Sequence, residues 1–244
     1  MSIDMKAWAE YYSNPTNLER ITFHTKYREV TVIKHLEDRN VPIRPLKMFK
    51  PEHLSFWIER LSLKTTLFDI YISNASVKLP ALSSDMKQLV EWREYLSEHW
   101  AELCNGYDIF VDVDIGDIDQ RDRAEEMARQ VASILTQQYP RVELWDTTRG
   151  FHVVQKGQFT PGFVKETVQD ICCYNDIPMS MPVKDVDDVR YIARNRQWVP
   201  LKVGEEVPES KKPNVDTGIY DARRIRRVPF SLHSKTGKPM VRLQ

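Results

Sequence analysis

The sequence predicts an α+β fold in which helices flank a mixed β-sheet core. Segment 107–114 alternates apolar and polar residues, as a half-buried strand does. Segment 119–138 repeats apolar residues at the spacing of an amphipathic helix. Segments of both kinds alternate along the chain, which favours a sheet covered by helices. With 244 residues, 41% of them hydrophobic, the chain can bury a core unaided, and we expect a single domain spanning 1–244.

The first half of the chain begins with a short helix over residues 5–12. Segments 28–34 and 67–72 are rich in β-branched and aromatic residues and predict strands. Proline-bearing loops are expected between them. Segment 85–102 places apolar residues near helical spacing, and the pair Asn105-Gly106 predicts where that helix ends.

The second half alternates more regularly. The strand at 107–114 and the helix at 119–138 lead into a series of shorter elements. We predict strands at 141–145 and 151–155, helices at 162–174 and 185–194, a polar linker at 200–214, and two apolar pieces at 225–230 and 239–243.

Composition narrows the class of protein. No stretch approaches the roughly 20 apolar residues of a membrane span, and no secretory signal is visible, so we expect an intracellular protein without a membrane partner, cytoplasmic in a prokaryotic host. The three cysteines form no C-x-x-C motif, so neither a zinc ribbon nor a redox motif is supported. Charges balance at 35 Lys+Arg against 35 Asp+Glu, but residues 201–244 hold ten basic and five acidic residues. That excess favours a local anion site.

The sharpest local motif is Asp112-Val113-Asp114. Because side chains two apart on a strand share a face, the two carboxylates should point the same way and raise each other's pKa. A divalent cation such as Mg²⁺ would relieve that repulsion and could also hold phosphates. The alternative is a solvated strand end in an acidic stretch.

A second motif runs from Arg149 through Gly150 to His152. The glycine would allow a ligand to approach the backbone, while the arginine and the histidine could bind phosphate. A turn glycine beside a half-buried histidine is the competing interpretation.

The basic tail holds a third set of polar groups. It contains Asp216, a cluster of four arginines at 223–227, and His233 beside a Lys-Thr-Gly turn. Such cations could neutralise a triphosphate, although a solvated face would look similar. Strand alternation should turn Arg226 away from Arg227. The other two arginines of the cluster, Arg223 and Arg224, are predicted either to contact a template backbone or to form ion pairs with acids such as Asp221.

In this order, the three motifs resemble those of the catalytic small subunit of archaeal and eukaryotic DNA primases, in the archaeo-eukaryotic primase superfamily. The resemblance covers about 107–237, and its longest and most specific part is the stretch from Pro229 to Gly237. It implies the primase fold. Residues 115–145 contain no Cys or His, so the zinc-binding insertion of that family is expected to be missing and no zinc is expected.

The resemblance also implies roles for individual residues. Asp112, Asp114 and Asp216 match the catalytic acids, which hold two Mg²⁺ or Mn²⁺ ions, with Asp221 near enough to be an alternative third acid. The groups that match the contacts to the incoming triphosphate are Arg149, His152, Arg227 and His233.

The function implied is that of a DNA primase, which makes short primers on a single-stranded DNA template from nucleoside triphosphates by two-metal phosphoryl transfer. A primase large subunit is a further partner that the resemblance allows. Three alternatives stay open: a primer-extending or gap-filling polymerase of the same superfamily, such as the polymerase module of bacterial end-joining ligases, a non-catalytic nucleotide-binding or nucleic-acid-binding subunit, and a nuclease. The closing Ser-Leu-His-x-Lys-Thr-Gly signature favours the primase branch.

Overall fold

The computed structural model of the protein describes residues 3–79, 86–115, 118–180, 183–186, 189–194, 197–201, 213–216 and 223–244. It confirms the α+β class. The chain divides into two compact units. Unit 1 comprises Met1–Gly106 and Arg223–Val241, and unit 2 comprises Tyr107–Ala222 and Arg242–Gln244. No helix within these described ranges has both the length and the apolar character needed to cross a membrane.

Helices and strands alternate along both units. The helices are α1 (Met5–Tyr11), α2 (Pro15–Phe23), α3 (Pro51–Arg60), α4 (Met86–Glu98), α5 (Trp100–Leu103), α6 (Arg121–Gln138) and α7 (Pro161–Tyr174). The strands are β1 (Val30–His35), β2 (Asn40–Leu46), β3 (Phe68–Ser73), β4 (Ala75–Val77), β5 (Cys104–Asp114), β6 (Val142–Asp146), β7 (Gly150–Phe159), β8 (Val183–Val186), β9 (Val189–Arg194), β10 (Gln197–Pro200), β11 (Asn214–Val215), β12 (Ile225–Arg227) and β13 (Val241–Arg242).

Unit 1 is built on a four-stranded sheet in the order β12-β3-β1-β2, with antiparallel neighbours. Its apolar face is buried under α1, α2 and α3, whose inward side chains include Trp8, Ile21 and Trp57. Helices α1 and α2 start where the sequence supplies a cap, since the side chains of Asp4 and Asn14 accept backbone N–H groups at their first turns.

The predicted strands 28–34 and 67–72 correspond to β1 and β3. The expected proline-bearing loop between them is wrong in part, because β2 contains Pro42 and Pro45 and still pairs with β1. This strand lies at the edge of its sheet, where a proline need not donate to a second neighbour.

Unit 2 is built on an antiparallel sheet in which β11, β5, β7 and β6 are successive neighbours, with β13 beside β6. Its central strands β5 and β7 have one wholly buried apolar face, which includes Val111, Val113 and Val153. The long helix α6 buries its own apolar stripe and contacts β6 and β7. A separate three-stranded sheet has the order β10-β9-β8.

One predicted element is wrong, and another is confirmed only in part. Residues 183–186 and 189–194 form the two strands β8 and β9, not a helix at 185–194. The helix predicted over 85–102 is divided into α4 and α5, and Asn105 and Gly106 belong to β5 rather than to a turn.

Candidate active site

Strand β5 of unit 2 carries the paired carboxylates at its end. Asp112 and Asp114 alternate with buried Val111 and Val113, so the backbone places both acids on the face opposite the apolar core. The buried valines fix the register of β5, because a slip of one residue would exchange the two faces.

A third predicted acid comes to the same face from a distant part of the chain. In β11, Asn214 pairs with Asp114 and Val215 pairs with Val113. The next residue, Asp216, donates its backbone N–H to the carbonyl oxygen of Asp112 at 2.8 Å. Directly paired residues of antiparallel strands share a face, so Asp112, Asp114 and Asp216 form a three-carboxylate face. The alternative third acid, Asp221, lies outside the described residues.

The ionisation of Asp114 reflects its neighbours on this face. The pKa of the Asp114 carboxyl is raised, first because neighbouring groups exclude solvent from it and second because of the negative charge of Asp216. The positive charge of Arg149 acts in the opposite direction. Asp216 and Arg149 therefore both lie close enough to Asp114 to change its ionisation.

Arg149 is positioned by the hairpin between β6 and β7. The carboxylate of Asp146 accepts the backbone N–H of Thr148 at 2.6 Å, and the carbonyl of Gly150 accepts the N–H of Thr147 at 3.0 Å. These bonds hold a turn whose exposed Arg149 side chain lies beside Asp114.

The structure explains why position 150 is a glycine, which the sequence alone did not. A Cβ at this position would lie 2.6 Å from the carbonyl oxygen of Val113, so the residue lets β7 approach β5 closely. The sequence interpretation assigned this space to a ligand, but the backbone of the neighbouring strand occupies it.

His152 lies opposite Asp112 in the β5–β7 ladder. Its Nε2 atom is 3.6 Å from Asp112 Oδ1, and its ring stands edge-on to Phe110 with 4.8 Å between ring centroids. The side chain is 8% exposed. One edge of the imidazole thus lies beside a carboxylate of the three-carboxylate face.

The donor set suits a hard divalent cation. All three groups are carboxylates, and their mutual repulsion is the condition that a bound cation would relieve. Among the described residues, no group of three or more His, Cys, Asp or Glu side chains is already gathered around one point. Sharing an ion would therefore require the carboxylates to change rotamer, which their common face permits.

The two remaining predicted site residues belong to unit 1. Arg227 is buried on β12, where its Nη1 atom lies 2.8 Å from Asp69 Oδ1 and donates to the carbonyl of Leu232 at 3.0 Å. Its neighbour Arg226 donates instead to Asn74 Oδ1 at 2.7 Å, in agreement with the predicted alternation of the two side chains. In this structure the Arg227 charge is compensated by a buried carboxylate.

His233 lies in the tight turn that the closing signature forms. Its carbonyl accepts the backbone N–H groups of Thr236 and Gly237, and Gly237 adopts a φ of 66° that suits glycine. Its Nδ1 atom accepts the backbone N–H of Lys235 at 3.0 Å. In the neutral form the ring therefore carries its proton on Nε2.

The sequence did not indicate three polar residues that contact the predicted acids and arginines: Ser180, Asp69 and Glu29. Ser180 donates to Asp216 Oδ1 at 3.2 Å and helps to orient that acid. Asp69 accepts from Arg227 and from both the N–H and the hydroxyl of Ser234. Glu29, wholly buried, pairs with Arg44 at 2.6 Å and with Arg223 at 3.4 Å. Each of the three is a single polar residue in an apolar strand or a loop, and an isolated residue forms no spacing pattern that the sequence could reveal.

The fold is similar to that of a polymerase domain of known structure. The structure is similar to the polymerase domain of Mycobacterium tuberculosis ligase D, solved in complex with DNA, with a TM-score of 0.57 and 11% sequence identity. The similarity covers 93% of this chain and 75% of that one. Neither a scan against protein-family models nor a search of curated proteins gives a match.

Proposed function

We propose that this chain is a DNA primase of the archaeo-eukaryotic superfamily, which joins nucleotides on a single-stranded DNA template. The observation that carries the proposal is the three-carboxylate face of unit 2, where Asp216 arrives on β11 beside Asp112. The likeness of the fold to a polymerase domain that binds DNA supports the same class of chemistry.

In this proposal Asp112, Asp114 and Asp216 hold two Mg²⁺ or Mn²⁺ ions. When bound, such ions lower the pKa of the attacking 3′-hydroxyl and stabilise the charge on the triphosphate. The protein contributes position and charge. Arg149 offers an exposed guanidinium beside Asp114, and the His152 ring lies 3.6 Å from Asp112. Both are proposed to contact the triphosphate of the incoming nucleotide.

His233 and Arg227 are proposed to contact the triphosphate as well. The orientation of the His233 ring supports this role, since Nε2–H is the donor of the neutral tautomer. Arg227 would have to keep its bond to Asp69 while a second guanidinium nitrogen reached the phosphate, because breaking a buried pair is costly.

A primer-extending or gap-filling polymerase is the second candidate, favoured by the particular domain that the fold matches. The two reactions use the same acids and differ in the starting substrate. A primase joins two nucleotides on the template, whereas an extending polymerase needs a strand with a 3′-hydroxyl.

The test is a nucleotide-addition assay on single-stranded template with labelled nucleotides and Mg²⁺ or Mn²⁺, run with and without a primer. We expect primer-independent dinucleotides from the wild type. Asp112→Asn and Asp216→Asn should abolish them, and Asp122→Asn, an exposed acid of α6, should not. Products only from primed template would select the polymerase candidate. No product with either substrate, or full activity of Asp112→Asn, would refute the proposal.

A further inference from the structure

The closing signature, residues 229–237 of unit 1, carries His233 between two buried neighbours. Leu232 is 4% exposed and Ser234 is 6% exposed, whereas His233 itself is only partly buried. The backbone N–H of Ser234 donates to Asp69 Oδ1 at 3.0 Å, and its hydroxyl donates to Asp69 Oδ2 at 2.6 Å. The backbone that carries the imidazole is therefore held on its C-terminal side by a buried carboxylate.

On the N-terminal side of His233, the backbone is held by a side chain from the other end of the sequence. The hydroxyl of Tyr12, the residue that follows α1, accepts the backbone N–H of Leu232 at 3.0 Å. The carbonyl of Leu232 accepts a hydrogen bond from Arg227 Nη1, also at 3.0 Å. Both polar backbone groups of Leu232 are thus bonded to side chains. Because Leu232 is buried, removal of the Tyr12 hydroxyl would take from its N–H a partner that solvent cannot replace without a rearrangement.

Tyr12 is itself fixed in the core of unit 1. It is 3% exposed, and its ring centroid lies 4.6 Å from that of Phe68 and 5.5 Å from that of Trp8. Burial raises the pKa of its hydroxyl, although the bond from Leu232 and the charge of Arg227 act in the opposite direction. The hydroxyl therefore stays neutral, and ring packing determines where it lies.

The adjacent tyrosine holds the start of the same signature. The hydroxyl of Tyr11 donates to the carbonyl of Phe230 at 2.6 Å. Phe230 has a φ of 64°, a left-handed conformation that a bulky residue keeps only where its surroundings impose it. The guanidinium carbon of Arg20 lies 3.9 Å from the centroid of the Phe230 ring and packs that ring against α2. Strained backbone of this kind clusters at ligand-binding positions, and His233 follows three residues later.

We propose that Tyr12 is a positioning residue for the binding of a nucleoside triphosphate. Its hydroxyl holds the backbone of Leu232, and thereby places the His233 ring where it receives a phosphate oxygen. Tyr11 supports the same arrangement through Phe230. The inference rests on the proposed function, because it takes His233 as a contact to the triphosphate. A purely structural tyrosine would change stability alone, whereas a positioning tyrosine changes nucleotide affinity through His233.

The test measures the affinity for ATP and for dATP in the presence of Mg²⁺ by isothermal titration calorimetry. Tyr12→Phe, which removes only the hydroxyl, should weaken binding about fivefold or more, because a displaced imidazole loses its bond to phosphate. The same change in a His233→Ala background should alter affinity by less than about twofold, because the contact through which Tyr12 acts is already absent. Tyr11→Phe should weaken binding about threefold, and it keeps the test decisive if Tyr12→Phe does not fold.

The matched control is Thr22→Val, which removes a buried hydroxyl from α2 of the same unit. That hydroxyl donates to the carbonyl of Leu18 on its own helix at 2.8 Å. Its loss should leave nucleotide affinity unchanged, whatever it costs in stability. Thermal unfolding of every variant measures that cost separately from affinity.

Unchanged affinity in the tyrosine variants would overturn the inference. An equal loss of affinity in Thr22→Val, or a Tyr12→Phe effect that persists in the His233→Ala background, would overturn it as well, as would a wild type that binds neither nucleotide.

Failure here is distinguishable from failure of the enzymatic proposal. Nucleotide binding that does not depend on Tyr12, with synthesis lost in Asp112→Asn, removes only the positioning role. Binding that depends on Tyr12 through His233, with no synthesis by the wild type, removes only the enzyme.

Discussion

Replacing Arg227 by Ala should destabilise unit 1, because it removes the cation that compensates buried Asp69. The Asp69 side chain is 4% exposed. Burial alone would raise its pKa, but Arg227, two hydrogen bonds from Ser234 and one from His35 outweigh burial and lower the pKa to about 2. Relative to 3.8, this corresponds to about 2–3 kcal/mol of stability at neutral pH.

Arg227→Ala should therefore cost about 3–5 kcal/mol, the usual loss when one partner of a buried ion pair is removed. The measurement is urea denaturation of the wild type, Arg227→Ala, Asp69→Asn and a double variant, Asp69→Asn with Arg227→Met. The double variant should lose less than the two single variants together, because it leaves no uncompensated charge. Additive losses, or an Arg227→Ala protein within 0.5 kcal/mol of the wild type, would refute the reasoning.

The same pair predicts a pH dependence with a definite sign. Since the folded pKa of Asp69 is depressed, its stabilisation is present above about pH 4 and is lost as the pH falls toward 2. The stability difference between wild type and Asp69→Asn should narrow over that interval. A difference that stays constant from pH 6 to pH 2 would show that the carboxylate charge does not contribute.

Two further predictions concern unit 2. Gly150→Ala should lower the free energy of unfolding by about 1–3 kcal/mol, because its Cβ would lie 2.6 Å from a backbone oxygen. The control is Gly162→Ala, which should not lower it, because a Cβ there would have no atom within 4 Å. Equal urea midpoints for the two variants would contradict the argument. Asp216→Asn should lower the pKa of Asp114, as followed by carboxyl NMR with metal removed. A carboxyl whose pKa is raised in the folded protein destabilises the fold at pH values above that pKa. Asp216→Asn should therefore be more stable than the wild type at pH 7, and the difference in stability should close below about pH 4. An unchanged Asp114 titration would show that the charges are not coupled.

The sequence predicted the centre of unit 2 well because two strong periodicities meet there. Strand β5 and helix α6 each bury one face. Apolar residues therefore recur along each of them with the period of the element, which the sequence displays directly. The two paired acids follow directly from that alternation. The nearness of Asp216 could be expected only from the family resemblance, since no local pattern states which strands will pair.

The mistaken helix at 185–194 has a specific cause. Val183, Val186, Val189 and Ile192 recur every three residues, which imitates a helical stripe. In the structure Val186 pairs with Val189 and Val183 pairs with Ile192, so the spacing arises from two strands folded back on each other. β-Branched residues at all four positions were the signal in favour of strands. The pairing of Arg223 with Glu29 likewise could not be read locally, because 194 residues separate them.

The assembly of unit 1 from two distant segments has a consequence for how the protein is made. Strand β12 pairs with β3. The hydroxyl of Tyr11 in α1 donates to the carbonyl of Phe230, and the hydroxyl of Tyr12, just after α1, accepts the N–H of Leu232. While residues 107–222 are being translated, the edge of β3 that β12 will cover remains open. At about 5–20 residues per second, that interval is on the order of ten seconds. Unit 1 cannot complete its sheet during this time, and the open edge of β3 is exposed to edge-to-edge association with other nascent chains.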